Sequence, residues 1–201
     1  MKKMVILCMT IVMMSSLFLT PVYAVEFSDL NSSHWAYEYI TTLANDGVIN
    51  GYTDGTYRPS GTVKRSEFIK LVISSCMPKS ANINDVFTSM NHWAAGYVKV
   101  AETYGVITQG SVTIENIDQP ITRLEMVKII SNADIKMKGN AQQFDKSTNF
   151  IDIASLQLAD EFLLRHAVNR GLITGYKDGT FKPDKTMTRA EAATMIYRFT
   201  K

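Results

Sequence analysis

The sequence predicts a mainly α-helical fold made of three tandem helix–loop–helix units. Three observations predict it. A glycine precedes an arginine by eighteen residues three times over: Gly47 and Arg65, Gly105 and Arg123, Gly171 and Arg189. Apolar residues recur at helical spacing before each glycine and after each arginine. Turn dipeptides, Asn50-Gly51 and Asp54-Gly55 among them, fill the interval between. Three copies of one internal spacing mark an internal repeat, and a repeat dictates the architecture.

The first two dozen residues stand outside the repeats. Lys2 and Lys3 precede an apolar run from Met4 to Leu19, and Val22-Tyr23-Ala24 offers small residues for cleavage. This is the pattern of an export signal, expected over residues 1–24. The run is short and broken by Thr10, Ser15 and Ser16, which argues against a retained membrane anchor. Cys8 lies within it, so the mature chain keeps only Cys76 and forms no internal disulfide. Lys2 and Lys3 also account for the whole excess of 21 basic over 19 acidic residues. A balanced mature surface disfavours nucleic acid or an acidic membrane as the main partner.

Repeat one, expected over 25–82, opens with Phe27-Ser28-Asp29-Leu30 and Ser32-Ser33-His34-Trp35-Ala36. Ser32 or Ser33 suits a helix cap. Ala36, Ile40, Leu43 and Ala44 then follow at helical spacing. Gly47 suits the position past a helix end, where φ is positive. The loop reads Val48-Ile49-Asn50-Gly51-Tyr52-Thr53-Asp54-Gly55-Thr56-Tyr57-Arg58-Pro59. Arg65-Ser66-Glu67 opens a second helix with Phe68, Leu71, Val72 and Cys76 inward.

Repeat two, over 83–146, keeps the frame in Asp85-Val86, His92-Trp93-Ala94, Val98, Ala101 and Gly105. Its loop departs at Gln109-Gly110-Ser111-Val112 and must close differently. It recovers at Thr122-Arg123-Leu124-Glu125, before Met126, Ile129 and Ile130. The stretch from Lys136 to Asn149 is polar and reads as a loop. Repeat three, over 147–201, keeps Phe150-Ile151-Asp152-Ile153 but has Ala159 where the tryptophan frame falls. A helix is predicted from Leu158 to Asn169, carrying Phe162, Leu163, Ala167 and Val168. Gly175-Tyr176-Lys177-Asp178-Gly179-Thr180-Phe181 restores the full turn, and Ala192, Ala193, Ile196 and Phe199 share a face of the last helix.

Thr188 with Glu191, and Thr122 with Glu125, match a capping box. Lys64 stands where the first threonine is expected, so that cap is lost. Each box places an arginine on the first helical turn, where the backbone is already electropositive. A cation set there three times calls for an anion. One candidate is an aspartate of a neighbouring repeat: Asp29, Asp85 or Asp152. The other is a carboxylate or phosphate on a ligand, gripped by guanidinium and helix start together.

Trp35 and Trp93 suit a sugar shelf, although core packing is the commoner use of tryptophan in a small repeat. Tyr52 and Tyr176 carry the same two readings. His34 and His92 read as capping or surface residues, and His166 stands alone. No pair of histidines has ligand spacing, so neither a metal nor another cofactor is expected. Asp178-Gly179-Thr180 reads as a turn, not a calcium loop. No nucleophile is marked with its base, and no catalytic domain is expected beside the repeats.

Taken in order, Phe-x-Asp, His-Trp-Ala, Gly-Tyr-x-Asp-Gly-Thr and Thr-Arg-Ala-Glu make the chain resemble the S-layer homology domain of bacterial cell-surface proteins. The resemblance implies three repeats packed about a pseudo-threefold axis with a central helix bundle. It implies grooves between lobes that bind a secondary cell-wall polysaccharide, often pyruvylated. By the resemblance Arg65, Arg123 and Arg189 contact the ketal carboxylate. Asp29, Asp85 and Asp152 frame the grooves beside Trp35 and Trp93, and Gly51 and Gly175 let backbone approach the sugar. One or two grooves are expected to bind, those of Arg65 or Arg189 foremost. The expected function is a secreted, non-enzymatic module that docks on the cell wall and anchors itself or a non-covalently bound surface protein. The alternative is a structural protein–protein or surface-coat module that binds no glycan.

Overall fold

The computed structural model describes residues 25–78, 81–83, 86, 88–140 and 148–201. The leader over 1–24, Asp85, the Lys79-Ser80 linker and residues 141–147 of the predicted loop lie outside them. The chain is mainly helical. Among the described residues there are six helices: α1 (Tyr37–Asn45), α2 (Arg65–Cys76), α3 (Ala95–Thr103), α4 (Arg123–Lys136), α5 (Leu158–Asn169) and α6 (Arg189–Thr200). Among the described residues no strand accompanies them, only isolated bridges between loops.

The helix ends follow from local chemistry. Gly47, Gly105 and Gly171 stand just past α1, α3 and α5 at φ +71°, +67° and +69°. There the amides of Val48, Val106 and Leu172 reach back to Leu43, Ala101 and Ala167 at 2.7–2.8 Å, satisfying carbonyls the helix leaves open. Thr122 and Thr188 cap α4 and α6, each accepting from the amide of Glu125 or Glu191 at 3.2 Å. Lys64 has no acceptor to offer, yet Glu67 still takes its amide at 2.9 Å, so half of the first box survives. Ser32 and Ser33 do not cap α1, which starts only at Tyr37. Asn31 and the His34 ring hold the preceding turn instead, Nδ1 accepting from the Ala36 amide at 3.1 Å.

The units close on one another through backbone hydrogen bonds. Val63 donates to Met187 (3.0 Å), Met187 to Ile121 (3.1 Å) and Ile121 to Val63 (3.0 Å), a ring with one bond per step. Beside it the amides of Arg65 and Ser66 bond Gln119 and Ile117. Those of Arg123 and Leu124 bond Lys185 and Pro183, and those of Arg189 and Ala190 bond Gly61 and Pro59. Each second helix thus begins on the loop of the next repeat. The helices pack in the same order: α3 on α2, α5 on α4 and α1 on α6, with α2 also against α4 and α6.

Phe68, Ile69, Val72, Met126, Ile130, Ala193 and Ile196 form the shared core. On α5 the inward residues are Leu164, His166 and Ala167, whereas Phe162 is turned out and 49% exposed. His166 does not stand alone. Its Nε2 lies 3.0 Å from buried Asp134, which also receives Arg170 (2.9 Å) and Asn140 (3.0 Å). Cys76 is half-buried and free, and burial pushes its thiol up to about 11, as suits a packing residue.

Candidate functional site

The loop after each glycine is built before it can present anything. Asp54 Oδ1 accepts from the amide and hydroxyl of Thr56, at 3.0 and 2.6 Å, and Asp178 does the same for Thr180. These bonds, with Arg58 and Lys182 nearby, hold both carboxyls down near about 2. The chain then passes through Arg58 and Lys182 at φ +58° and +59°, a conformation that L residues rarely adopt. Asp29 secures the first by accepting from the amides of Tyr57 and Arg58 at 2.7 and 2.8 Å. Asp152 secures the second through Phe181 and Lys182 at 2.8 and 2.7 Å. The two aspartates are therefore loop clasps. They are not the partners of the helix-start arginines.

A groove opens where each arginine meets the loop of the next repeat. The Arg189 groove, about 230 Å³, is walled by Asn50, Tyr57, Glu67, Lys70 and Trp93. The Arg123 groove, about 510 Å³, is walled by Trp35, Gly175, Tyr176, Lys177, Glu191 and Arg198. All three repeats contribute to each of these two. The Arg65 groove, about 190 Å³, is walled by Val106, Thr108, Ser111, Glu125, Lys128 and Asn132, with no residue from the third repeat.

The three guanidiniums differ in what they hold. Arg65 donates from Nε and Nη2 to Glu125 Oε1, at 3.2 and 2.6 Å, and from Nη1 to the Asn116 carbonyl. Arg189 bonds the Tyr57 and Asn50 carbonyls at 2.8 and 3.2 Å, lies over the Tyr52 and Tyr57 rings, and keeps Glu67 at 3.9 Å. Arg123 is 5% exposed, donates to the Thr174 carbonyl and lies over the Tyr176 and Phe181 rings. Its Nε has no hydrogen-bond partner among the described residues. Burial depresses its pKa, and the nearby Arg198 adds to that.

The three helix starts have their amides largely committed within the protein. Their first two amides are spent on the neighbouring loop. The third is capped in α4 and α6. The arginine side chain, not the helix start, lines the groove.

Trp35 and Trp93 are 59% and 57% exposed, which overturns the expectation of core packing. Their rings lie against His34 and His92 at 5.6 and 5.5 Å, and each indole lines a groove. Gly51 and Gly175 are needed by the protein itself. A Cβ on Gly51 would meet Phe27 Cε1 at 2.4 Å, and one on Gly175 would meet Phe150 Cε1 at 2.1 Å. The phenylalanine of each Phe-x-Asp motif fills the space that a side chain would take.

A model of the S-layer homology domain matches residues 26–69 and 166–193. The chain is 30% identical over 176 residues to exoglucanase XynX of Acetivibrio thermocellus, covering 87% of this chain and 16% of that protein. It is 27% identical over 203 residues to S-layer protein EA1 of Bacillus anthracis, covering 97% of this chain and 22% of the relative. Cell surface glycoprotein 1 of Acetivibrio thermocellus is 29% identical, over 75% of this chain and 7% of its own length. The chain carries S-layer homology domains. It spans less than a quarter of each of these relatives. Such domains, with S-layer proteins as relatives, put it at the cell surface in association with the cell wall.

In these S-layer homology repeats, sequence reasoning missed Lys70, Lys177 and Arg198 as groove residues. A signal existed. Lys70 lies three residues after Glu67, Lys128 three after Glu125, and Arg198 seven after Glu191. These offsets stay on one side of a helix. The sequence also left open what each arginine holds, and the outcomes differ: a carboxylate for Arg65, carbonyls and rings for Arg123 and Arg189.

Proposed function

We propose that the chain is a non-enzymatic module that docks non-covalently on an acidic, pyruvylated secondary cell-wall polysaccharide. One observation carries the reading: in two grooves an exposed tryptophan shares the lining with an arginine that lies over aromatic rings, Arg123 buried and Arg189 half-buried. An indole face suits the apolar side of a sugar ring, and a guanidinium fork suits a carboxylate. The grooves of Arg123 and Arg189, framed by Trp35 and Trp93, are the binding pair. Arg65 serves chiefly to tie repeat one to repeat two. Asp29, Asp152, Gly51 and Gly175 shape the loops that line the grooves, and the three-repeat division over 25–82, 83–146 and 147–201 is the unit that assembles them.

The test is retention on purified wall sacculi with and without pyruvyl ketals. Retention that needs the ketal supports the reading. Equal retention on both overturns the carboxylate part of it. Fragments with new reducing ends after incubation would overturn the non-enzymatic part.

The Arg65–Glu125 ion pair favours a second reading, in which the arginines are inter-repeat ties and the exposed surface serves a protein partner. Unfolding of the Arg123 and Arg189 variants, in place of a loss confined to binding, would establish it.

A further inference from the structure

We propose that the Arg123 groove takes a glycan segment bearing two carboxylates, one seated by Arg123 and the second by Arg198 farther along α6. The proposal rests on the glycan reading above and names the ligand of one groove within it.

Arg123 is a buried cation with no carboxylate in ion-pair contact among the described residues. Its Nη2 bonds a carbonyl, its Nη1 meets only the Met187 sulfur at 4.0 Å, and its Nε meets nothing among the described residues. A buried charge left in this state is costly, and an incoming anion relieves it. The one acidic residue on the groove wall is already committed. Glu191 accepts from Lys185 at 2.7 Å, from the Thr188 amide at 2.9 Å and from the Tyr176 hydroxyl at 3.3 Å. Arg198 and Lys177 share the wall, and neither has an ion pair among the described residues. The groove therefore offers a buried cation and a more open one, with no free acid between them.

The other grooves are built differently. At the positions of Arg198 and Lys177 the first repeat has Ser74 and Thr53, and at that of Thr194 it has Lys70. The second cation of the Arg189 groove thus lies four residues nearer the helix start, about 6 Å closer along the axis. In the Arg65 groove the two cations are both neutralised, Arg65 by Glu125 at 2.6 Å and Lys128 by Asp160 at 2.7 Å. Among the described residues, only the Arg123 groove has two guanidiniums in its lining without an ion pair.

Trp93→Phe leaves Trp35 as the sole tryptophan, so its fluorescence reads this groove. Two probes are titrated into that full-length protein: a methyl glycoside with one pyruvyl ketal, and a disaccharide joining the same ketal sugar to a hexuronic acid. The second probe is expected to bind roughly tenfold or more tighter, the effect of a charged hydrogen bond. Arg198→Ser, the residue at the matching position of repeat one, should bring the ratio to near one and leave the single-carboxylate affinity almost unchanged. Arg198→Lys should keep most of the ratio, and Arg123→Gln should weaken both probes. A ratio near one with Arg198 in place, or a ratio that survives Arg198→Ser, overturns the two-anion proposal while the glycan reading stands. Binding of neither probe overturns both.

Discussion

Arg65 and Glu125 meet across the first and second repeats with Nη2 2.6 Å from Oε1, and the Arg65 side chain is 13% exposed. Glu125 also takes the Thr122 amide at 2.9 Å, so one carboxylate closes a cap and an inter-repeat bond together. Arg65 is accordingly expected to act on stability. Arg65→Gln should lower unfolding free energy by about 1.5–3 kcal/mol, the worth of a hydrogen bond to a charged group. Retention on wall sacculi should stay within a factor of two once the protein is folded. Urea titration and sacculus pull-down together check this, and a large binding loss at unchanged stability would return Arg65 to the binding set.

Gly175 lies beneath the Phe150 ring, where a Cβ would sit 2.1 Å from Cε1. Gly175→Ala should destabilise the chain by about 1–3 kcal/mol through overpacking. Gly51→Ala, 2.4 Å from Phe27, should behave alike. Pairing Gly175→Ala with Phe150→Leu should recover part of the loss in a double-mutant cycle, because the clash is between those two groups. Strict additivity in thermal melts would count against the contact as the cause.

How much of this was legible in the sequence depended on range. The helix from Leu158 to Asn169 and the glycine ends were readable because periodicity and positive φ are local properties. The start of α1 was not, since the serines that suit a cap are outcompeted by Asn31 and His34. The ring of Val63, Ile121 and Met187 joins residues far apart in the chain and leaves no mark on local pattern. For the same reason neither the exposure of Trp35 nor the burial of Arg123 was readable, each being set by what a different repeat places beside it.

Trp35 and Trp93 support little of the core and lie against their neighbouring histidines. Trp35→Ala and Trp93→Ala should each cost no more than about 0.5 kcal/mol of stability, as for surface positions. Each should reduce retention on pyruvylated sacculi, and the pair should reduce it further than either alone. Denaturant melts and pull-downs distinguish this from a packing role, in which stability falls first.

Asp134 is 1% exposed and gathers His166, Arg170 and Asn140 where α4 meets α5. Burial by itself would raise its pKa, but the bonds from Asn140, Arg170 and His166 outweigh that and hold the carboxyl below its ordinary value. A depressed carboxyl adds stability that is complete above the unfolded pKa, about 3.9, and is lost as pH falls through the folded value. Asp134→Asn should therefore cost about 3 kcal/mol at pH 7, the scale for breaking a buried ion pair. The gap between the two proteins should narrow as pH drops below about 4, because the unfolded chain's carboxyl then binds a proton that the native one still refuses. Urea melts of both at pH 7, 5 and 3 test it. A gap that stays constant across that range would mean that the carboxylate's charge contributes nothing and that only its shape is used.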